Sequence, residues 1–253
     1  MTTVAWVRDS PIELSEVDVR EGALRTGPVA STLPRAHSSE GRQLRRWVVQ
    51  VLVAERLVRL EAEARALTPE DAPDLIELAP DRAAMLGLGS VAADVLTRNP
   101  LARAVFVAVT AEVRVSEVDI ERFHSANPER FLVVEQRVVR HALAGVDRPL
   151  RTLRRGEWTG VVEDAVFAAE VGAVVGPIVD PLGSHTLVVE EVRPARTRSL
   201  AECRAEIEAH LVAGVRRRAF TAWLDRHAAT TVRLAHGYEH PGDPGQPDNT
   251  HRH

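Results

Sequence analysis

The stretch from Val138 to Arg193 constrains the fold of this 253-residue chain more than any other part of the sequence. It opens with Val138–Leu143 and closes with Thr186–Glu191, which are runs of strand length rich in β-branched residues. Between them, Val161–Glu170 contains no Gly or Pro and is followed by Gly172, a pattern that predicts a helix with a glycine stop. The stretch therefore predicts a small α+β unit.

A series of short motifs lies in order within this unit. From Arg155 to His185 the chain shows a glycine after a basic residue, then Glu-Asp-Ala-x-Phe, Gly-x-x-x-Gly-Pro and Gly-x-His. Together with Arg140-His141 upstream, this order resembles the parvulin family of peptidyl-prolyl cis-trans isomerases. The matching positions are Gly156, Glu163, Asp164, Ala165, Phe167, Gly172, Gly176, Pro177, Gly183 and His185.

The resemblance implies a domain that isomerises X-Pro peptide bonds and needs no cofactor or metal. The barrier to this rotation is ~20 kcal/mol, and a catalyst lowers it by binding the twisted amide more tightly than either planar form. In parvulins, two histidines on adjacent strands lie beneath an apolar cup for the proline ring. The corresponding residues here are His141 and His185, and the candidates for the cup are Trp158, Val162 and Phe167.

The sequence also departs from the family pattern. Only a short turn follows His141 before the basic-Gly segment, so the family's helical insertion is missing, together with its central Asp or Cys. Trp158 and Val162 align with the Met and Phe of the proline pocket, and Asp180 takes the place of a Thr. Asp180 can supply a carboxylate near His185, although it also fits an ordinary turn aspartate. Val makes less apolar contact with a proline ring than Phe does, which weakens binding of the ring by ~1–3 kcal/mol. We therefore expect weak isomerase activity.

Two interpretations of these side chains stay open at the level of sequence. His141 and His185 either form a catalytic network or are a structural pair that fixes the packing of two strands, since buried polar groups need partners. Trp158 either stacks on a proline ring or fills the space left by the missing insertion. Phe167 is expected in the core in either case.

Helices with one apolar face flank the central unit. Leu44–Leu67 has apolar residues at helical spacing, and Ser199–Glu202 is a capping box that opens a long helix. The segments Val4–Val7 and Thr231–Leu234 are short and strand-like, and they could pair with each other. The apolar residues of the long C-terminal helix include Cys203, Ile207, Leu211, Phe220 and Trp223.

Because these apolar faces cannot remain in water, residues 1–130 and 197–235 should form one mostly helical domain. Residues 131–196, the parvulin-like α+β domain, would be inserted between the two segments, an arrangement that resembles the SurA and PrsA type of foldase. Residues 236–253 are rich in Gly, Pro, Asp and Asn and predict a disordered tail.

Composition restricts the partners. A net charge of −4 argues against a general nucleic-acid binder. The most apolar run, Leu101–Thr110, contains Arg103 and falls short of the ~20 apolar residues that cross a bilayer. The N-terminal residues do not resemble a secretory signal, so we expect a cytoplasmic protein without a membrane partner. A P-loop, a dinucleotide fingerprint and a metal-ligand set are all absent from the sequence, and we expect no cofactor.

The sequence thus favours an enzyme, a cytoplasmic parvulin-like isomerase or foldase that acts on proline-containing polypeptides. The alternative is a catalytically degenerate chaperone or pathway-specific partner that binds a client protein without turnover. A third hypothesis is small-molecule chemistry in a remodelled pocket, with the histidines as acid and base.

Overall fold

The computed structural model describes residues 2–243 and has the α+β fold class that the sequence predicted. The strands are, in chain order, β1 (Thr3–Val7), β2 (Ser10–Glu13), β3 (Leu132–Val133), β4 (Gln136–Leu143), β5 (Val146–Asp147), β6 (Arg151–Arg154), β7 (Val174–Asp180), β8 (Gly183–Arg193), β9 (Arg196–Thr197) and β10 (Val232–Leu234). The α-helices are α1 (Leu14–Thr26), α2 (Ser39–Arg65), α3 (Leu75–Leu78), α4 (Arg82–Leu86), α5 (Ser90–Arg98), α6 (Pro100–Val109), α7 (Glu117–Ala126), α8 (Val161–Ala168) and α9 (Leu200–Thr231).

The chain divides into two compact units. Of the described residues, 2–115 and 210–243 form unit 1, and 116–209 form unit 2. Within residues 2–243, no helix is both long and apolar enough to cross a bilayer.

Helix α2 lies at the centre of unit 1. It begins at Ser39, earlier than the periodic pattern suggested, because the Ser38 hydroxyl accepts a hydrogen bond from the Gly41 N–H at the helix N-terminus. Helices α5 and α6 pack against α2, and Phe220 of α9 meets Phe106 of α6 with ring centroids 5.2 Å apart. The buried residues of α2 include Val48, Val51, Leu52, Leu57 and Val58.

Strands from both ends of the chain share one sheet in unit 1, in the order β10-β1-β2. Ala5 is paired with Leu234 and Val7 with Val232 in antiparallel register. The expected pairing of the terminal segments is therefore confirmed. Strand β2 was not expected: the chain turns after Val7, and the residues from Ser10 return along β1 as the second strand of a hairpin.

The boundaries of the units differ from those expected. Residues 116–130 and 197–209, which the sequence assigned to the helical domain, group with unit 2. Within unit 2 the first turns of α9 are tied to α7, since Arg204 and Glu117 form an ion pair of 2.6 Å. His124 of α7 also lies 2.9 Å from the Arg198 carbonyl oxygen, and β3 pairs with β9. These contacts join residues far apart in sequence, which a local pattern does not reveal.

Part of the expected C-terminal tail is ordered. Residues 236–243 form turns, and Tyr238 packs against the core of unit 1. The buried Arg46 donates from Nε to the Gly237 carbonyl oxygen at 3.1 Å. The remainder of the tail prediction, residues 244–253, lies outside the described residues.

Unit 2 is built on an antiparallel sheet in the order β5-β4-β8-β7, with β6 also paired to β4. Helix α8 packs on this sheet and ends at Ala168, because Ala169 is already extended. The small α+β unit that the sequence predicted is thus present. Its core is formed by Val139, Leu153, Val162, Val166, Phe167, Val175, Leu187 and Val189.

A bulge interrupts the strand that pairs with β4. Ala142 faces Asp147 and Val139 faces Arg151, so three steps along β4 correspond to four along its partner. The extra residue falls within Arg148–Leu150, where Pro149 has no N–H to continue the ladder. We call Arg148–Leu150 the hairpin bulge; it lies where the sequence predicted only a short turn.

Candidate functional site

The two candidate histidines meet on the inner face of the sheet of unit 2. His141 on β4 faces Leu187, and His185 on β8 faces Leu143, so the histidines are diagonal neighbours on adjacent strands. Nε2 of His141 lies 3.1 Å from Nδ1 of His185, and the rings are nearly parallel at 14°. Both side chains are buried. The predicted hydrogen-bond contact between the histidines is confirmed.

Asp180 continues this contact into a chain of three groups. Its Oδ1 lies 2.9 Å from Nε2 of His185 and also accepts hydrogen bonds from the N–H groups of Leu182 and Gly183, at 2.7 and 3.2 Å. An ionised carboxylate only accepts, so Nε2 of His185 carries a proton. In a neutral His185, Nδ1 then accepts from Nε2–H of His141. Asp180 therefore both shapes the turn and orients the histidines.

The electrostatics of the site favour this arrangement at neutral pH. Burial lowers the pKa of His141 below its usual 6.5, and electrostatic interactions with His185, Arg148 and Arg151 lower this pKa further. Burial acts to raise the pKa of Asp180, but the hydrogen bonds from the Leu182 N–H and from His185 outweigh it and hold this pKa below 3.8. His141 is thus neutral and Asp180 ionised near pH 7.

A cavity of about 890 Å³ has both histidines and Asp180 in its wall. That volume lies within the range of small-ligand pockets, roughly 300–1,000 Å³. Three of its apolar side chains are largely exposed: Leu150 at 61%, Val161 at 64% and Leu182 at 76%. The apolar residues of the wall are Leu143, Pro149, Leu150, Trp158, Val161, Val162, Pro181 and Leu182.

This cavity is lined by two of the three residues that the sequence suggested for the proline cup. The ring of Trp158 stands edge-on to His141 and His185, with centroids 5.5 and 6.3 Å away. Val162, in the first turn of α8, contributes to both the cavity wall and the core.

Phe167 does not line the cavity, which corrects its assignment as a substrate-binding residue. It is buried in the core, and the guanidinium carbons of Arg137 and Arg155 lie 5.2 and 4.6 Å from the centre of its ring. The reason is helical geometry: at about 100° per residue, Phe167 points roughly 140° away from Val162 around α8. Of the two roles considered for Phe167, only the core role fits the structure.

The loop that carries Trp158 is anchored by a buried carboxylate. Gly156 and Gly160, at φ of 88° and 83°, bracket the loop in a conformation that favours glycine. Oε1 of Glu163 accepts a hydrogen bond from the Gly156 N–H at 2.8 Å. The Glu163 side chain is buried and ties the loop to α8. The sequence matched Glu163 to the family motif but did not reveal this positioning role.

The hairpin bulge is the part of the cavity wall that the sequence did not identify. Arg148, Pro149 and Leu150 all line the cavity, and so does Arg151. The one available signal was Pro149 in a segment otherwise suited to pair with β4, since proline in a strand marks an edge or a bulge. Within residues 2–243, no group of three or more His, Cys, Asp or Glu side chains is arranged as metal ligands.

Comparisons with known proteins place few constraints on the function. Residues 3–40 match a family of unknown function (DUF7158). No curated protein matches the chain. Because the match covers only a short N-terminal segment, it does not assign the chain to that family.

Several solved structures have a similar arrangement at low identity. Two of them come from work on the virulence factor PEB4 and the periplasmic protein Cj1289, which are SurA-like chaperones of Campylobacter jejuni. Their sequences are 12% and 14% identical to this chain, and the TM-scores are 0.43 and 0.42. The alignments cover 93% and 92% of this chain and 100% of each of the other chains. PrsA from Bacillus subtilis is 11% identical, with 90% and 92% of the two chains covered and a TM-score of 0.23. At these scores the likeness carries no argument about function, which must come from the geometry of the site.

Proposed function

We propose that this protein binds proline-containing polypeptides in the cavity of unit 2 and catalyses cis-trans isomerisation of their X-Pro bonds. The observation that carries the proposal is the hydrogen-bonded chain from His141 through His185 to Asp180 in the wall of a mainly apolar cavity. The parvulin-like order of motifs from Arg155 to His185 supports the same reaction.

The cavity suits this reaction because rotation about an X-Pro bond needs no nucleophile. A planar amide is the more polar form, since resonance shifts charge from nitrogen to oxygen, and twisting the bond removes that resonance. An apolar wall of Trp158, Val162 and Leu150 excludes water from the amide and so disfavours the planar form relative to the twisted one. A proline ring can pack against the face of Trp158.

The histidine pair forms the polar part of the cavity wall that would lie beneath a bound X-Pro amide. His141 is held neutral, so its ring does not place a positive charge beneath the amide that would stabilise the planar, dipolar form. Asp180 fixes the orientation and tautomer of His185, which in turn orients His141. In this proposal Asp180 supplies the carboxylate that the family's helical insertion would otherwise bring.

The direct test is a protease-coupled assay on a short X-Pro peptide. The full chain should accelerate isomerisation above the uncatalysed rate, and His185→Ala should lose the acceleration because the network loses its central member. His37→Ala is the matched control, since His37 is exposed and lies in unit 1. A wild-type rate equal to the uncatalysed rate would remove the isomerase from consideration.

A client-binding module without turnover is the second candidate. The exposed apolar side chains of Leu150, Val161 and Leu182 at the cavity favour it, because exposed apolar groups at a concave site suit polypeptide binding. Binding of a labelled proline-rich peptide, with no change in its isomerisation rate, would identify this function. The cytoplasmic location expected from the sequence stays a prediction, which cell fractionation can test.

A further inference from the structure

The hairpin bulge places a cation beside the histidine pair. The N–H of Arg148 donates to the His141 carbonyl oxygen at 2.8 Å, so Arg148 lies opposite His141, one residue beyond the end of β5. Residues that face each other in an antiparallel pair project from the same side of the sheet, with Cβ atoms about 4.5–5.5 Å apart. Accordingly, Arg148 lines the cavity together with His141.

The other charged side chains of the cavity wall already have partners. Arg151 forms an ion pair with Glu157, and its guanidinium carbon lies 5.5 Å from the centre of the Trp158 ring. Asp180 is hydrogen-bonded to His185. Arg148 is exposed and makes no ion pair with any residue between 2 and 243. The cavity therefore presents one uncompensated positive charge, although the chain as a whole has a net charge of −4.

We propose that Arg148 makes the cavity selective for X-Pro segments in which an aspartate or glutamate lies next to the proline. This inference rests on the proposed binding of X-Pro segments in the same cavity. A residue adjacent to the proline has its Cα only about 3.8 Å from that of the proline. Arg148, directly across from His141, can thus pair with the carboxylate of that neighbour while the ring occupies the apolar wall.

The expected size of the preference follows from the exposure of Arg148. Ion pairs at exposed positions are weak, so we expect an acidic neighbour to raise kcat/KM by about two- to fivefold at low salt. Screening should reduce the advantage as the ionic strength approaches about 1 M, where the Debye length is about 3 Å.

The test uses peptides with neutral caps that differ only in Glu or Gln beside the proline, placed before it in one set and after it in another. The Glu/Gln ratio of kcat/KM should exceed one in at least one set for the wild type and approach one for Arg148→Gln. Arg140→Gln is the matched control: Arg140 precedes His141 on β4, so its side chain projects from the opposite face, where it pairs with Glu190. This variant loses the same charge and should keep the wild-type ratio.

Measuring peptide binding separates this inference from the proposed activity. Labelled Glu and Gln peptides are titrated with the same three proteins, and Kd is obtained from fluorescence anisotropy. Tighter binding of Glu peptides without turnover would support the preference for an acidic neighbour and rule out isomerase activity. Equal Kd and equal kcat/KM for the two peptides, or no binding at all, would overturn the preference. A preference that survives in Arg148→Gln would overturn the role of Arg148.

Discussion

The substitution Phe220→Ala tests whether the C-terminal helix completes a core formed mainly by N-terminal helices. Phe220 of α9 is fully buried in unit 1. Its ring centroid lies 5.2 Å from that of Phe106 on α6 and 5.8 Å from that of Trp223 on α9. Alanine removes the ring from between these aromatic partners and leaves a cavity, because close-packed neighbours relax only in part.

The expected loss can be estimated from this environment. Replacement of a buried Phe by Ala costs about 3–5 kcal/mol, which is a large share of the typical 5–15 kcal/mol free energy of unfolding. For a domain of roughly 150 residues, each kcal/mol lowers Tm by about 2–4 °C, so Tm of unit 1 should fall by about 6–20 °C.

Thermal unfolding followed by circular dichroism and calorimetry would measure this change. Arg226→Ala is the matched control, since Arg226 is an exposed residue of the same helix and its replacement should change stability by no more than about 0.5 kcal/mol. A loss below about 1 kcal/mol for Phe220→Ala would refute the reasoning, because a fully packed ring cannot be removed at so small a cost.

Two further predictions concern the sheet of unit 2. Because the pKa of folded His141 is lowered from 6.5, the unfolded chain binds more protons between the two pKa values, and stability should fall as pH drops below about 6.5. Urea unfolding between pH 7.5 and pH 5 should show a smaller fall for His141→Gln than for the wild type, and an identical fall would contradict the assignment. A Cβ at Gly176, where φ is 116°, would lie 2.3 Å from the His185 carbonyl oxygen, so Gly176→Ala should destabilise unit 2 and disrupt the site. The matched control is Gly22→Ala in helix α1, where the space around the glycine is open, and it should instead raise the free energy of unfolding by about 0.5–1 kcal/mol. Equal melting temperatures for Gly176→Ala and Gly22→Ala would argue against the close approach at Gly176.

Much of the site could be predicted from the sequence because its signals are local. The β-branched runs around His141 and before Glu191 indicate strands, and alternation along a strand then determines which side chains share a face. The capping box at Ser199 and Glu202 is present at the start of α9, where the Ser199 N–H lies 2.8 Å from the Glu202 carboxylate. The contact between His141 and His185 follows from such elements once the two strands are adjacent.

Other features depended on which strands pair and in which register, and only the tertiary structure decided them. The hairpin bulge exists because β5 and β6 pair with β4 in registers that differ by one residue, and the register of β5 places Arg148 beside His141 in the cavity wall. Phe167 belongs to the core because α8 packs on the sheet in one rotation about its axis. The grouping of residues 116–130 and 197–209 with unit 2 rests on contacts between distant segments. A local pattern specifies which face of an element is apolar, but the partner of that face is chosen by packing free energy summed over the whole chain.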